Sequence, residues 1–470
     1  MSREAPIIVG LFRRMNAEGI RYVQFKSTVS LERSFQGKTD FDLLVAKQDA
    51  HRFQRILLEY GAKQRHATFN VVYSGMEDYL LYDAEHEQMH HFHVHYDLIF
   101  GRRYRKNYRF PDLEKVFAEV EIHPEYNIPI VTPRFELFLL AMRAILKFDP
   151  ARQTVRQLVR GYRLPAGMKA ELHDLWTRVD LEKFQEWLSE AYPEPAHVAL
   201  SFLETYQSNC SIGFLHMVRL SRGLERSLWQ FERTDKRTAR TFAGMRRNAK
   251  RHEVRWLPSG GRIISVIGAD GAGKSTLVRD LVEWLSYKLS ANTVYLGQSK
   301  QSFRVRVLNQ LSGLARRFSL KHVEDSFCGR RALLNARVRL QKWQSARHDA
   351  GNGKIIITDR YPLREFHAMK FPMDGPRLKE TDPLYDQERS IYEQIAPYPD
   401  ILIALSVSRE TAAIRTKPMN AEQANQHRDK VLAIEDLVRN GRVPNMFCID
   451  ANDEYSTVLR KAKEAIWNSL

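Results

Sequence analysis

Residues 268–275 read G-A-D-G-A-G-K-S and match the phosphate-binding pattern G-x-x-x-x-G-K-[ST]. The glycines of such a loop let backbone N–H groups surround phosphate oxygens, and the helix that follows adds partial positive charge at its N-terminus. In this pattern Lys274 reaches the β- and γ-phosphates, and the Ser275 hydroxyl ligates Mg²⁺. The residues predicted to bind the nucleotide are Gly268, Gly271, Ala272, Gly273, Lys274, Ser275 and Thr276. The loop therefore indicates that ATP binds with Mg²⁺ for phosphoryl transfer.

The segments on either side of this loop have the patterns that a P-loop requires. Residues 262–267 are apolar and rich in β-branched side chains, which predicts a buried parallel strand. In residues 276–285, Leu277, Leu281 and Leu285 share one stripe of a helix. Strand, glycine loop and helix in this order favour a P-loop over a chance match in a glycine-rich turn.

Two charged residues follow a second predicted strand. Residues 354–358 read K-I-I-I-T, and Asp359 and Arg360 come directly after them. An acid at the carboxyl end of a neighbouring parallel strand is expected to ligate Mg²⁺-bound water or to act as a base for the substrate. Arg360 would face the same crevice and hold a transferred or accepting phosphate. We predict that both residues are catalytic and that Asp359 is also a metal ligand.

Two more strands complete the predicted α/β sheet. Residues 400–407 form one of them, and Arg415 lies in the basic helix that follows, which has the character of a lid over ATP. Residues 446–451 form the last strand, and the loop after Asp450 is expected to pack beside the adenine. The alternation of strands and helices over residues 261–470 predicts a parallel sheet.

Four segments together resemble the thymidylate kinase-like branch of the nucleoside monophosphate kinases: the P-loop, the D-R-Y run at residues 359–361, the region of Arg415 and residues 449–451. The resemblance covers most of residues 262–470. It implies ATP and Mg²⁺ as cofactors and places Asp270 and Asp359 near the acceptor and the metal. It also implies a phosphate contact for Arg360, and a catalytic role for Asp270 and Arg415.

The acceptor region departs from this family. After the second strand, residues 293–299, the chain lacks the Arg-Glu-Pro-like segment that helps thymidylate kinases hold their acceptor. A long basic helical stretch, residues 303–348, follows instead. The chain is similar here to thymidylate kinase-like proteins encoded among bacterial surface-polysaccharide functions. We therefore expect a sugar, a glycan or a lipid-linked acceptor in preference to thymidylate.

Two carboxylates near the N-terminus share one predicted strand face. Asp40 and Asp42 lie two residues apart, and the side chains of a strand repeat with a period of two. Such a pair can hold Mg²⁺ and a nucleoside triphosphate for in-line attack. Asp97, on the neighbouring predicted strand, is the third carboxylate of this candidate metal site.

Residues 7–120 resemble the minimal nucleotidyltransferase superfamily, in which a G-S turn and a short helix precede the D-x-D strand. Lys26 stands where that family has glycine, followed by Ser27. Either Lys26 contacts a phosphate, or the domain is an inactive scaffold. Four histidines lie nearby: His90, His91, His93 and His95. Strand histidines can bind zinc, but no cysteine completes a set, so substrate binding, support of the carboxylates and exposure to solvent stay open.

The composition of the chain limits its partners. The 470 residues carry 73 Lys and Arg against 56 Asp and Glu, a net charge of +17, which indicates a polyanion, an anionic membrane surface or a phosphorylated substrate. Nucleic acid is a weaker candidate, because few aromatic residues lie among the basic helices and no helix-turn-helix, RNP or zinc-finger pattern occurs. We expect a cytoplasmic protein, because the cysteines are widely spaced and the sequence has neither a signal-peptide pattern nor an apolar run of ~20 residues. Association with the inner face of the membrane stays open.

A turn cluster at residues 258–261 marks the clearest boundary in the chain. We predict a multidomain protein with an α+β nucleotidyltransferase-like domain (1–130), a helical, basic connecting region (131–257) and an α/β P-loop kinase domain with a parallel sheet (258–470). The predicted function is that of an ATP- and Mg²⁺-dependent phosphotransferase. The alternatives are a nucleotidyltransferase with a regulatory P-loop domain, and a nucleotide-gated binding protein for nucleic acid or membrane.

Overall fold

The computed structural model folds into two units, Met1–Glu253 (unit 1) and Val254–Leu470 (unit 2). It describes residues 6–68, 73–101, 106–110, 112–150, 160–233, 253–297, 307, 310–311, 317–318, 321–367, 374–395, 397–415, 421–440 and 443–470. Helices that the sequence placed in a connecting region lie in unit 1, and the division near residue 130 stays a prediction. None of the described helices combines the length and apolar character needed to cross a lipid bilayer.

Unit 1 is a mixed α/β structure. Its helices are α1 (Pro6–Ala17), α2 (Leu31–Phe35), α3 (Ala50–Glu59), α4 (Leu113–Ala118), α5 (Pro133–Lys147), α6 (Ala166–Arg178), α7 (Leu181–Ala191), α8 (Pro193–Asn209) and α9 (Phe214–Ser227). Its strands are β1 (Tyr22–Gln24), β2 (Phe41–Val45), β3 (Lys63–Ala67), β4 (Met76–Asp83), β5 (Gln88–His95), β6 (Ile99–Phe100), β7 (Tyr108–Arg109), β8 (Val120–Ile122) and β9 (Pro129–Val131).

The large sheet of unit 1 has the strand order β3-β4-β5-β2-β1-β9-β8. Strand β2 runs parallel to β5 and places Asp42 opposite His93. Strand β4 runs antiparallel to β5 and places Asp78 opposite the same histidine. The opposite face of the sheet is apolar next to this position, and the buried rings of Phe41 and Phe92 stack there with their centroids 5.2 Å apart. The period of two therefore separates a polar face from a core face.

Helix α5 connects the sheet of unit 1 to its helices. It begins at Pro133, where proline suits the first helical turn because its missing N–H would have no partner there. The helix is apolar on most of its sides, since it packs in one core cluster with Val23 of β1, Leu172 of α6 and Phe202 of α8. This burial fixes the side chains that α5 presents next to β1 and β5.

Unit 2 is the predicted α/β structure. Its helices are α10 (Lys274–Ser286), α11 (Lys321–Gly351), α12 (Tyr385–Ile395), α13 (Arg409–Arg415), α14 (Ala421–Asn440) and α15 (Tyr455–Ser469). Its strands are β10 (Arg255–Trp256), β11 (Arg262–Gly268), β12 (Ala291–Tyr295), β13 (Ile355–Asp359), β14 (Ile401–Ser406) and β15 (Met446–Asp450).

The main sheet of unit 2 has the strand order β12-β13-β11-β14-β15, and all of its pairings are parallel. Strand β11 lies at the centre, so the P-loop leaves the carboxyl edge of the sheet between β13 and β14. The prediction of a parallel α/β sheet in this part of the chain is confirmed. The second strand ends at Tyr295, earlier than the predicted residue 299.

Candidate functional site

Glycines shape the P-loop in two ways, by adopting left-handed backbone angles and by allowing close packing of the backbone. Gly271 and Gly273 have φ angles of +85° and +86°, in the left-handed region that a β-carbon disfavours. A β-carbon on Gly268 would meet the carbonyl oxygen of Leu405 at 3.0 Å, because the loop leaves β11 tightly against β14. Helix α10 begins directly after Gly273, so its free N–H groups face the loop.

The side chain of Lys274 is folded back into the P-loop. Its Nζ donates a hydrogen bond to the carbonyl oxygen of Ala269 at 2.7 Å and lies 4.0 Å from Oδ1 of Asp270. Burial, helped by the charge of Arg360 and opposed by that of Asp270, lowers the pKa of Lys274 to about 8. The structure thus holds a buried ammonium group where the motif predicts contact with the phosphates.

Ser275 and Asp359 form a pair between the first turn of α10 and the end of β13. The Ser275 hydroxyl donates to Oδ2 of Asp359 at 2.7 Å. Within the described part of the chain, Oδ1 of the same carboxylate is buried and has no hydrogen-bond partner. Mg²⁺ prefers hard oxygen ligands, so a serine hydroxyl beside a carboxylate with one open oxygen fits this ion. Thr276 follows on the exposed side of α10.

Asp270, inside the P-loop, is held by cations from two other segments. Lys430 of α14 donates to its Oδ2 at 2.8 Å, and Arg360 donates to its Oδ1 at 3.0 Å. His427, one turn earlier on α14, contacts the main-chain oxygen of Asp270 at 2.8 Å. Burial opposes ionisation of Asp270, but the charges of Lys430, Lys274 and Arg360 outweigh it and hold its pKa well below the usual value. The carboxylate is therefore a charged anchor for the loop.

Arg360 connects the P-loop to a turn beside α12. Its Nη1 lies 3.4 Å from Oδ2 of Asp374, and its backbone has a φ of +74°, which is uncommon for a residue with a β-carbon. Arg339, buried on α11, approaches Oδ1 of Asp374 at 3.6 Å and also contacts the Tyr392 hydroxyl. Glu388 accepts hydrogen bonds from the backbone N–H groups of residues 377 and 378, which fixes this turn. Two arginines therefore converge on one carboxylate beside the P-loop.

The structure places Arg415 at the end of α13 and Asp450 at the end of β15, both beside the loop that follows this last strand. Nη1 of Arg415 donates to the carbonyl oxygen of Ala451 at 2.8 Å. Oδ1 of Asp450 accepts from the backbone N–H and the amide of Asn452, at 2.9 and 2.7 Å. These two predicted residues thus contact the same loop, residues 451–452, and among the described contacts neither has a hydrogen bond to the P-loop.

In unit 1, each predicted carboxylate has a different partner. Oδ1 of Asp42 lies 2.7 Å from the Lys26 ammonium group. Oδ1 of Asp40 lies 3.0 Å from Nδ1 of His91. Asp97 comes after β5 ends at His95, and its Oδ1 pairs with a lysine, Lys47, at 2.7 Å. The structure therefore does not bring Asp97 together with the other two carboxylates, because the register sets Asp42 beside His93.

The histidines form a network that depends on Asp78, which the sequence analysis did not identify. Oδ1 of Asp78 lies 2.8 Å from both Nε2 of His91 and Nδ1 of His93, and its Oδ2 pairs with Arg65 at 2.7 Å. One ligand-type atom each from Asp42, His93 and His95 lies within 4.8 Å of the others. His90 stands apart and contacts a backbone oxygen, and burial lowers its pKa to about 4.

Sequence reasoning also missed the residues that support the P-loop from a distance. His427 and Lys430 are three residues apart on α14, a spacing that puts both on one helix face. Asp374 lies in a segment rich in turn-forming residues, and Arg339 lies in the basic stretch that marked the departure from thymidylate kinases. These spacings and charges were visible in the sequence, but the contacts were not: His427 and Lys430 reach Asp270, whereas Arg339 approaches Asp374.

No protein-family model matches this chain. It is 29% identical over 229 residues to the uncharacterized ATP-binding protein YghS of Escherichia coli (strain K12). This match covers 44% of this chain and 94% of that relative. It is 30% identical over 224 residues to the uncharacterized ATP-binding protein YghR of the same strain. This match covers 43% of this chain and 86% of that relative.

Two solved structures are similar over less than half of the chain. The deoxyadenosine kinase from M. mycoides with bound dATP has a TM-score of 0.31 and 19% identity, covering 44% of this chain and 98% of its own. The thymidylate kinase from Candida albicans has a TM-score of 0.32 and 18% identity, covering 44% of this chain and 92% of its own.

Proposed function

Because this chain belongs to the family of the Escherichia coli ATP-binding protein YghR, we propose that it is an ATP- and Mg²⁺-dependent phosphotransferase whose chemistry lies in unit 2. One observation carries the proposal. Next to the buried ammonium group of Lys274, the Ser275–Asp359 pair presents a buried carboxylate oxygen, Oδ1 of Asp359, that has no partner among the described residues. A cation for the phosphates and a vacant hard ligand for Mg²⁺ are the parts that phosphoryl transfer needs.

The roles of the side chains follow from their contacts. Lys274 would exchange its hydrogen bond to Ala269 for one to the phosphate oxygens, and its charge would stabilise the charge that develops in the transition state. Ser275 and Asp359 would hold Mg²⁺, which neutralises phosphate oxygens when it is bound. Asp270, fixed by Lys430, keeps Arg360 directed at the loop. In the transfer, the bond from the terminal phosphorus to its bridging oxygen breaks and a bond to an acceptor oxygen forms.

The acceptor that suits this site carries negative charge. Arg339 and Arg360 both approach the carboxylate of Asp374, at 3.6 and 3.4 Å. Two guanidinium groups beside the P-loop favour a phosphate or carboxylate on the acceptor, since arginine binds both in a two-pronged arrangement. A phosphorylated sugar, a glycan or a lipid-linked intermediate meets this requirement, and we propose this class as the substrate.

The products made from ATP test the proposal. The purified chain is incubated with ATP, Mg²⁺ and a panel of sugar phosphates and lipid-linked phosphates, and the acceptors are analysed by mass spectrometry. We expect one acceptor to gain a phosphoryl group. Lys274→Ala should abolish this gain, whereas Lys461→Ala, which removes an exposed lysine paired with Asp453, should not. Gain of AMP by the acceptor, or full turnover in Lys274→Ala, would contradict the proposal.

A further inference from the structure

We propose that unit 1 binds the phosphate group of a small organic molecule without a metal ion, in a cavity beside β5 and α5. The cavity has a volume of about 120 Å³. Four cationic side chains line it: Lys26, Lys106, Arg143 and Lys147. The site goes beyond the phosphotransferase function, which involves residues of unit 2.

The cations of the cavity outnumber the carboxylates that pair with them. Lys26 pairs with Asp42 at 2.7 Å, and Arg143 pairs with Glu171 at 3.2 Å. In the described part of the chain, the hydrogen bond of the Lys106 ammonium group goes to a thioether, Sδ of Met76, at 3.3 Å. Lys147, at the exposed rim, forms no ion pair with any described residue. Two of the four basic side chains therefore have no carboxylate partner among the described residues, which favours an anionic ligand.

His95 provides a polar group at the cavity wall. It is 2% exposed, and neither of its ring nitrogens has a hydrogen-bond partner among the described residues. Buried imidazoles normally use at least one ring nitrogen in a hydrogen bond. The ring packs edge-on against Phe25, with centroids 4.8 Å apart, which holds it in place. A phosphate oxygen in the cavity would accept a hydrogen bond from the N–H of the neutral imidazole.

The arrangement around Asp42 disfavours a metal ion as the ligand. The ammonium group of Lys26 already lies against Oδ1 of Asp42, where a divalent cation shared by carboxylates would bind. Asp40 is engaged by His91, and Asp97 is paired with Lys47. A divalent cation would also be repelled by the nearby lysines, whereas a phosphate would be attracted by them.

The rest of the cavity wall is apolar and suits an organic group attached to the phosphate. Leu98, Phe100, Leu139 and Met142 contribute to it. The volume is well above the ~10–15 Å³ that one water molecule needs, so a group larger than water fits. Phenyl phosphate therefore is a suitable probe, with inorganic phosphate as the probe for the anionic part alone.

The test uses the full chain with Lys274→Ala and an excess of EDTA, so that phosphate binding at the P-loop and metal binding are both suppressed, while the arginines of unit 2 are the same in every variant that is compared. Binding of phenyl phosphate and inorganic phosphate is measured by titration calorimetry and by the shift in melting temperature. We expect both to bind, phenyl phosphate more tightly. The double substitution Lys106→Met, Lys147→Met should weaken binding at least tenfold, and Lys169→Met, which changes an exposed lysine on α6, should leave it unchanged.

Circular dichroism of each variant without ligand establishes that it is folded, and Lys147→Arg, which keeps the charge at the rim, should retain most of the affinity. Equal affinities in the double variant and in Lys169→Met would overturn the proposal. So would binding that appears only when Mg²⁺ replaces EDTA, or a melting shift with Zn²⁺ alone and none with either phosphate.

Discussion

Replacing Asp359 by asparagine tests the division of roles in the P-loop site. Asp359→Asn keeps the shape of the side chain, and its amide oxygen can still accept the hydrogen bond of Ser275, now 2.7 Å long. The substitution removes one negative charge and puts an NH₂ group at or near the buried Oδ1 position, which has no partner among the described residues. The oxygen that could ligate a cation is thus replaced by an N–H donor, which repels the cation.

The expected magnitude follows from what the carboxylate touches. Asp359 is 7% exposed, so its charge acts in a poorly screened environment. Removing one preorganised electrostatic group from such a site lowers kcat by about 10²–10³-fold, or ~2.7–4 kcal/mol. ATP affinity should change much less, because Lys274 and the backbone N–H groups of the loop stay in place. Stability without ligand should be equal or higher, since a buried charge is removed.

The assay compares kcat, the dissociation constant of ATP and the Mg²⁺ concentration for half-maximal turnover. Asp400→Asn is the matched control, since Asp400 lies at the amino edge of the same sheet and accepts from the Ile263 N–H at 2.7 Å. Its turnover should equal that of the unchanged chain. Equal losses of ATP affinity and kcat in Asp359→Asn, or an unchanged Mg²⁺ requirement, would refute this account of Asp359.

Two further predictions concern one charged residue in each unit. Arg360→Lys should lower kcat/KM by about 10–100-fold and change the ATP affinity little, because a single ammonium group cannot span Asp270 and Asp374 as the guanidinium does. Steady-state kinetics in which the concentration of each substrate is varied measure both quantities. Burial raises the pKa of Glu136 from 4.5 to about 7, so the folded chain holds this proton more tightly than the unfolded chain. The stability of unit 1 should therefore fall by roughly 3 kcal/mol as the pH rises from 4.5 to about 7, and Glu136→Gln, which can still bond to Thr28, should abolish most of this slope in denaturant unfolding.

The P-loop and its sheet could be predicted because their signals are local. The glycine pattern, the strand before it and the helix after it are contiguous, and β-branched runs mark strands that are buried on both faces. Asp359 could be placed for the same reason: it ends a strand, and a parallel sheet brings the carboxyl ends of its strands to one edge. Each of these inferences needs only the order of elements, without knowledge of how distant side chains meet.

The surroundings of Asp270 could not be predicted in this way. Lys430 reaches Asp270 from 160 positions further along the chain, and the contact depends on how α14 packs near β11 and β14. The convergence of Arg339 and Arg360 on Asp374 likewise depends on α11 and the turn before α12. A sequence shows these residues as ordinary charges on helices and turns, and only tertiary packing selects them from many similar ones.

In unit 1 the periodicity was informative, but the register was not. The period of two predicted that Asp40 and Asp42 share one strand face, and the structure brings Asp42 together with His93 and His95. The pairing of β2 with β5 then sets His93 beside Asp42 and leaves Asp97 four residues further on, past the end of the strand. Register depends on partner strands and turns, which one strand pattern does not specify.

The two units differ in what lies against their key carboxylates, and our proposal of where Mg²⁺ binds depends on this difference. In unit 2, Asp359 bonds to a neutral hydroxyl and keeps a buried oxygen without a partner among the described residues, so its charge is uncompensated until a cation binds. In unit 1, Asp42 has a permanent cation at 2.7 Å, supplied by Lys26 at the position where the resembled superfamily has glycine. A glycine there would leave the carboxylate open, whereas lysine neutralises it and occupies the place of a metal ion. Our proposal of an anionic ligand in unit 1 therefore depends on Lys26 for the exclusion of a metal ion, and on Lys106 and Lys147 for the positive charge of the cavity.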